Sequence, residues 1–95
     1  MSAAQQFDLD RPWRLNPQVS LRPESFGALA YHFGTRRLSF LKSRALLGVV
    51  EGLAEAPDAA TACRAAGVPD EQLPAYGRAL ATLAGTEMIV PREAA

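Results

Sequence analysis

The first half of the chain alternates apolar and polar side chains with the period of two that is typical of β-strands. Val19 and Leu21 alternate with polar neighbours, and the run from 26 to 33 repeats this two-residue period. The run from 37 to 41 is a third stretch of the same kind. The sequence therefore predicts three short strands between residues 17 and 41.

Turn residues indicate how these strands pair. Pro17 and Pro23 bracket the first strand, and since proline has no N–H to donate, we expect its pairing to be confined to the residues between them. The segment Gly34-Thr35-Arg36 offers the positive φ that a tight hairpin needs, so the second and third strands should pair antiparallel. No later strand is predicted to cover the other side of the third strand, which leaves one sheet edge open.

After Leu41 the apolar spacing changes to that of helices. Three helices are predicted, each with a polar residue that can cap its N-terminus: residues 43–56 with Ser43, residues 59–66 with Asp58, and residues 70–85 with Asp70. Residues 88–90 are an extended apolar tail that can pack against the core. This order resembles a winged helix whose sheet has moved to the front, and it predicts an α+β fold with a three-stranded antiparallel sheet followed by three helices.

The chain is predicted to divide into an N-terminal arm, residues 1–16, and one domain, residues 17–92. Met1–Gln6 is small and polar, so we expect part of the arm to be disordered. Trp13 and Leu15 carry enough apolar area to dock on the domain. A structural plug is favoured over a binding role for Trp13.

Composition limits the class of protein. The 95 residues suffice for one core, and 10 basic side chains balance 10 acidic ones at a pI of about 6.6, which argues against nucleic-acid binding through bulk charge. A single cysteine, Cys63, fits a reducing compartment. No signal peptide and no apolar run of about 18 residues is present, so a cytoplasmic protein without a membrane partner is expected.

The side chains that usually carry chemistry have no visible partners in the sequence. His32 is the only histidine and has no neighbouring aspartate or cysteine. Cys63 lies on an alanine-rich helix, where a small buried filler is more common than a nucleophile. The glycines do not have the spacing of a phosphate-binding loop. A non-enzyme without metal or cofactor is therefore predicted, since a small enzyme would need a cluster that this chain lacks.

Three runs carry a resemblance to a known family: WRLNPQVSLRPE at 13–24, FGALAYHF at 26–33 and RLSFL at 37–41. Together they resemble the small peptide chaperone of mycofactocin biosynthesis, a stand-alone RiPP recognition element similar to the pyrroloquinoline quinone chaperone. The resemblance covers about Phe7 to Arg92. It implies a non-catalytic protein that binds the acidic leader of a ribosomally made precursor peptide and presents that peptide to a radical SAM maturase.

In such elements the leader adds as a strand beside the third strand and lies against the third helix, which agrees with the open edge derived above. The peptide contacts that we predict are Arg36, Arg37, Leu38, Ser39, Phe40, Leu41, Tyr76, Arg78, Ala79 and Leu83. The arginines, with Lys42, would meet acidic residues of the leader, although an exposed ion pair adds only about 0–1 kcal/mol. Which face of the third strand lines the groove stays open.

Three alternatives to this interpretation also stay open. Arg36, Arg37 and Lys42 can instead blunt the edge against unwanted pairing, and the edge can also pair with itself in a homodimer. A winged-helix DNA-binding regulator would use the third helix in a DNA groove. That function requires basic residues along the helix, whereas Arg78 is outnumbered there by Asp70, Glu71 and Glu87.

Overall fold

Two small antiparallel sheets and three helices form the part of the chain that the computed structural model describes, residues 7–92. The strands are β1 (Trp13–Leu15), β2 (Val19–Glu24), β3 (Gly27–His32), β4 (Leu38–Leu41) and β5 (Ile89–Pro91), and the helices are α1 (Arg44–Gly52), α2 (Ala59–Ala65) and α3 (Leu73–Gly85). The predicted disorder of Met1–Gln6 lies outside the described residues. The α+β class, with a three-stranded sheet followed by three helices, is confirmed.

The larger sheet has the order β2-β3-β4, and both of its pairings are antiparallel. β2 does not stop before Pro23, as expected from the sequence, but continues to Glu24, and Pro23 lies opposite Ala28. That expectation was wrong because β2 is an edge strand, in which every second N–H points away from the sheet and is not needed for the ladder. The Phe33 N–H donates to the Gln18 carbonyl, and the alternation from this bond places the Pro23 nitrogen on the outward side.

The turn before β4 takes its positive φ at Arg36, where φ is 64°, rather than at Gly34. The buried ring of His32 organises this turn, since its Nδ1 accepts hydrogen bonds from the N–H groups of Gly34 and Thr35 at 3.0 and 3.1 Å. A Cβ at Gly34 would displace the flexible end of the Gln18 side chain and approach Cε1 of the buried His32 ring to 2.9 Å, so glycine fits most easily at this position. The only histidine therefore has a structural role in the hairpin.

The smaller sheet pairs β1 with β5, and sequence analysis did not predict it. Each strand has three residues, which is too short for a period of two to be recognised. The pairing holds the end of the predicted arm on the domain, where Phe7 stacks on Trp13 with ring centroids 4.5 Å apart. Trp13 packs against the core, as the plug interpretation expects. The apolar tail is also packed as predicted, since Met88 and Ile89 are buried.

Side-chain caps begin two of the three helices. Ser43 Oγ accepts a hydrogen bond from the Leu46 N–H at 3.0 Å, and Asp58 Oδ1 accepts one from the Thr61 N–H at 2.7 Å. The hydrogen bonding by Thr61 lowers the pKa of Asp58 below its usual value. Both predicted caps are confirmed.

The predicted cap at Asp70 is wrong. Asp70 begins a 3₁₀ turn, Asp70–Gln72, and its carboxylate accepts a hydrogen bond from Arg64 Nε at 3.1 Å instead of capping α3. α3 begins at Leu73, with Pro74 in its first turn, where the missing N–H has no helical partner to lose. The end of α1 is tightened in a similar way by a second 3₁₀ turn, Leu53–Glu55.

Among residues 7–92, no helix has both the length and the apolar character needed to cross a bilayer.

The core lies between the inner face of the β2-β3-β4 sheet and the three helices. Its largest fully buried apolar side chains come from every layer of the fold: Leu41, Val49, Val50, Leu53, Leu80, Met88 and Ile89. Burying a side chain of this size stabilises the fold by about 1.5–3 kcal/mol. Leu41 of β4 and Leu80 of α3 are both buried in this core.

Arg92 ties the last strand to the end of α1. Its guanidinium donates to the carbonyls of Leu53, Ala54 and Ala56 at 2.7, 2.8 and 2.8 Å, and its own N–H donates to the Pro12 carbonyl at 3.1 Å. The Leu53 carbonyl also accepts the Ala56 N–H at 3.3 Å, and the Ala54 and Ala56 carbonyls follow the end of α1. A fixed cation there supplies donors to carbonyl groups at the end of the helix.

We expect Arg92→Ala to lower the free energy of unfolding by about 2–3 kcal/mol, since hydrogen bonds to a charged group contribute about 1.5–3 kcal/mol net. Arg92→Lys should lower the free energy of unfolding by a smaller amount. The ammonium group keeps the positive charge, but it cannot span the three carbonyls as the planar guanidinium does. Urea unfolding measures both, with Arg14→Ala, an exposed arginine of β1, as the control. An unfolding midpoint for Arg92→Ala equal to that of the Arg14→Ala control would contradict the capping role.

Candidate functional site

An open groove lies between the free edge of β4 and the exposed flank of α3. It consists of two adjoining depressions of about 470 and 160 Å³ that share Lys42, Leu46 and Ala79. We call this the edge groove, and its lining residues are Leu38, Ser39, Phe40, Lys42, Ser43, Leu46, Ala75, Tyr76, Ala79, Thr82 and Leu83. The floor is apolar, and the wall formed by α3 contains small side chains.

The backbone of β4 is hydrogen-bonded to a strand on one side only, within residues 7–92. The His32 N–H donates to the Arg37 carbonyl at 2.9 Å, so residues 32 and 37 form a hydrogen-bonded pair. Because such pairs alternate along an antiparallel ladder, Ser39 bonds to β3, whereas the N–H and C=O groups of Leu38 and Phe40 point to the open edge. The groove is therefore bordered by unpaired backbone donors and acceptors at alternate positions.

The two faces of β4 differ in burial, which decides the question that the sequence left open. Leu41 is buried and Ser39 is half-buried, so these two side chains face the helices. Leu38 and Phe40 are exposed on the opposite face of the sheet, which we call the outer face. The groove wall is thus formed by the strand edge itself, with apolar side chains continuing onto the outer face.

Gly27 fixes the junction between β4 and α1 beneath the groove. Its φ is 150°, and a Cβ at this position would collide with the Leu41 carbonyl oxygen and approach Ser43 N to 2.9 Å. Only glycine tolerates both the backbone conformation and this close approach. β3 can therefore pass directly beneath the point at which β4 ends and Ser43 begins the helix.

Six of the ten predicted contact residues line the edge groove: Leu38, Ser39, Phe40, Tyr76, Ala79 and Leu83. Leu41 does not line it, because its side chain is buried in the core. Arg36, Arg37 and Arg78 are exposed outside the lining; the first two lie in the turn before β4, and Arg78 lies on the flank of α3. Lys42 is the cation that the structure places within the groove.

Sequence analysis did not assign Leu46 and Ser43 to the site. Ser43 was predicted as a helix cap and serves that role, Leu46 is a core residue of α1, and both also line the groove. The available signal was their position: they follow the edge strand directly, in the first turn of α1. Within residues 7–92, Arg36, Arg37, Lys42 and Arg78 form no ion pair, so their charges are available to a partner.

The described residues hold no group of three histidine, cysteine or acidic side chains that could bind a metal ion. Cys63 is buried in the core, and this burial raises the pKa of its thiol, with a smaller opposing effect from Arg64. A thiol of this kind is a poor nucleophile. On α3, Arg78 is the only basic residue, which does not favour the DNA-binding alternative.

Comparison with known proteins gives a consistent result. The family model of the peptide chaperone MftB family matches residues 12–90. The chain is 61% identical over 88 residues to the peptide chaperone MftB of Mycobacterium ulcerans and 60% identical over 88 residues to that of Mycobacterium tuberculosis, covering 93% of this chain and 81% of each relative. It is 56% identical over 85 residues to the protein of the same name from Mycolicibacterium smegmatis, covering 90% of this chain and 83% of that relative. No solved structure matches.

We predict that Cys63 reacts with a thiol reagent at least about tenfold more slowly in the folded chain than in denaturant, because the thiol is both buried and protonated. Labelling with dithionitrobenzoate at pH 8 measures the rates, and Cys63→Ala supplies the blank. Because the pKa is raised in the folded state, the thiol's contribution to stability should be complete below its ordinary pKa and be lost as the pH rises through the folded-state value. Equal labelling rates with and without denaturant would contradict this assignment.

Proposed function

Since this chain belongs to the peptide chaperone MftB family, we propose that it binds the leader of the mycofactocin precursor peptide by strand addition at β4 and presents the peptide to a radical SAM maturase. The coarser role, that of a non-enzymatic peptide chaperone of the mycofactocin pathway, follows from the family itself. The edge groove is the feature that carries the finer proposal. An edge that offers unpaired backbone groups beside an apolar depression matches the needs of an extended peptide.

The backbone of the leader would form the first set of contacts. Leu38 and Phe40 each offer an outward N–H and C=O, so four ladder hydrogen bonds are available to a guest strand. Each such bond contributes about 0.5–1.5 kcal/mol net. These contacts hold any extended sequence and therefore supply affinity rather than selectivity.

The side chains of the leader would supply the selectivity. Successive residues of an added strand alternate between the groove floor, formed by Leu46, Ala79 and Leu83, and the outer face beside Leu38 and Phe40. The floor accepts a branched apolar side chain, in keeping with the valines and leucines that the family resemblance implies for the leader. Lys42 in the groove suits the acidic residues between them.

The strand-addition step is tested by comparing Phe40→Pro with Phe40→Ala. Both variants lose the half-exposed ring, but only the proline variant loses the N–H that faces the open edge, while the bonds from Ser39 to β3 remain. We expect Phe40→Pro to bind the synthetic leader at least about tenfold more weakly than Phe40→Ala, because one ladder bond is lost and a peptide carbonyl is left unpaired.

Calorimetric titration with the leader and with a scrambled leader measures this difference, and circular dichroism verifies that both variants are folded. Equal affinities of two folded variants would rule out strand addition. If the wild-type chain binds the leader and the scrambled peptide equally, recognition of a specific leader would be refuted as well.

Charge is proposed to steer the leader rather than to hold it. Arg36→Glu/Arg37→Glu should slow association at low salt by about tenfold and have little effect at 0.5 M salt, because exposed charges act over the Debye length and mainly change the on-rate. Arg11→Glu/Arg14→Glu changes the net charge equally at exposed positions outside the groove and is the matched control. Stopped-flow fluorescence with a labelled leader gives the rates. Equal slowing by the two double variants would assign the effect to net charge alone.

A further inference from the structure

The outer face of the β2-β3-β4 sheet is unusually apolar for a surface exposed to water. The large apolar side chains that are exposed in the described chain are Phe26, Phe33, Leu38 and Phe40, at 45%, 60%, 54% and 56% of their full accessible area. All four lie on this face or at its ends: Phe26 contacts Phe40, and Phe33 contacts Tyr31 edge to face, with ring centroids 5.2 Å apart. We use the term outer apolar face for the surface formed by Phe26, Leu29, Phe33, Leu38 and Phe40.

The apolar side chains are confined to the half of the sheet that adjoins the open edge. On β2 the outward positions are Ser20, Arg22 and Glu24, and the last two form an ion pair at 3.0 Å. On β3 and β4 the outward side chains are Leu29, Tyr31, Leu38 and Phe40, of which only Tyr31 carries a polar atom, and Leu38 and Phe40 also line the edge groove. A guest strand at β4 would therefore extend the apolar half of the sheet and not the polar half.

We propose that the outer apolar face is the docking surface for the enzyme that receives the peptide, and that this enzyme contacts the chaperone and the bound peptide together. This inference rests on the proposed function, because it takes the guest strand as part of the surface. Two side chains of a four-residue guest strand would point to the same side as Leu38 and Phe40 and enlarge the apolar area.

The apolar area available to the enzyme is larger when the guest strand is bound than when the chaperone is empty. A large apolar or aromatic side chain carries about 150–250 Å², so four of them at about half exposure present roughly 400 Å². A stable protein interface buries about 800 Å² on each partner. Because only about 56–58% of such an interface is apolar, roughly 450 Å² on each partner, the face of the free chaperone supplies most of the apolar area that docking needs, and the added strand would enlarge it. The enzyme should accordingly bind the loaded chaperone more tightly than the empty one.

The charges around the face disfavour a second copy of this chain as the occupant. Arg36 and Arg37 lie in the β3–β4 turn at one end of the sheet and form no ion pair among the described residues, whereas Arg22 on the polar half is paired with Glu24. A symmetric face-to-face dimer in which the two turns meet would bring the unpaired arginines of both copies together, and the strands of the larger sheet carry no unpaired acidic residue to offset them. A partner with apolar side chains surrounded by acidic residues fits the same surface without repulsion.

The experiment uses the full-length chain, the synthetic leader and the mycofactocin radical SAM maturase. Phe26→Ser/Phe33→Ser removes two exposed rings that do not line the edge groove, and Arg14→Ser is the control at an exposed position on β1, outside the larger sheet. Biolayer interferometry measures maturase binding with and without saturating leader. Calorimetry measures leader binding, and thermal melting verifies folding.

We expect the double variant to bind the leader within about twofold of wild type and the maturase at least tenfold more weakly, with the Arg14→Ser control unchanged in both. For wild type, saturating leader should tighten maturase binding by several fold. Maturase affinity unchanged in the double variant, or absent in wild type, would overturn the proposal. A parallel loss of leader affinity would instead assign the face to the peptide.

Two further measurements distinguish enzyme docking on the outer apolar face from dimer formation and from leader binding. Sedimentation velocity of the chaperone alone would overturn it if wild type forms a dimer that the double variant does not. Phe33→Ser alone, which leaves the Phe26–Phe40 contact intact, should weaken maturase binding in the same direction. Failure of wild type to bind the leader would refute the proposed function. The assignment of the outer apolar face is tested separately, by the affinity of each variant for the maturase.

Discussion

The close approach of β3 to the end of β4 at Gly27 is the constraint on which the geometry of the groove depends. Because no Cβ separates Gly27 from the Leu41 carbonyl, the chain can end the edge strand and enter α1 within two residues. Leu41 anchors this junction in the core, and Ser43 caps the helix that begins there. On the other side of the groove, Leu80 and Leu83 of α3 are buried in the same core as Leu41. The groove is therefore already formed in the chain without a peptide, and binding of the proposed peptide would cost little reorganisation.

In the proposed peptide site, the backbone of β4 and the side chains of the groove make different contributions to binding. The outward groups of Leu38 and Phe40 supply hydrogen bonds that any extended chain can use, and the apolar floor selects for shape. The cations contribute least to affinity, because exposed ion pairs are weak and screened by salt. Lys42 lines the groove, and Arg36 and Arg37 lie in the turn before β4, an arrangement that would suit steering of an acidic peptide towards the apolar groove floor.

The parts of the fold that sequence analysis predicted are those set by local periodicity and local caps, such as the three strands, Ser43, Asp58 and the open edge. The parts that it missed depend on contacts between distant residues. β1 pairs with β5 across more than 70 residues, and three-residue strands show no period. Asp70 has the sequence of a cap, but its carboxylate accepts a hydrogen bond from Arg64, a contact outside the helix that a capping pattern does not indicate. The face of β4 that meets the helices was undecidable because Leu38, Phe40 and Leu41 are all apolar, and only burial separates them.

Blunting of the edge and docking at the edge, which the sequence presented as alternatives, are compatible in this structure. An exposed strand with apolar outward side chains invites pairing between copies, and this chain has no net charge to keep copies apart. Because Arg36 and Arg37 precede β4 and Lys42 follows it, a second copy would bring like charges together, whereas an acidic leader would bring opposite ones. The same three cations would thus oppose self-pairing and favour the proposed peptide, so selectivity at this edge would arise from repulsion of the wrong strand as much as from attraction of the right one.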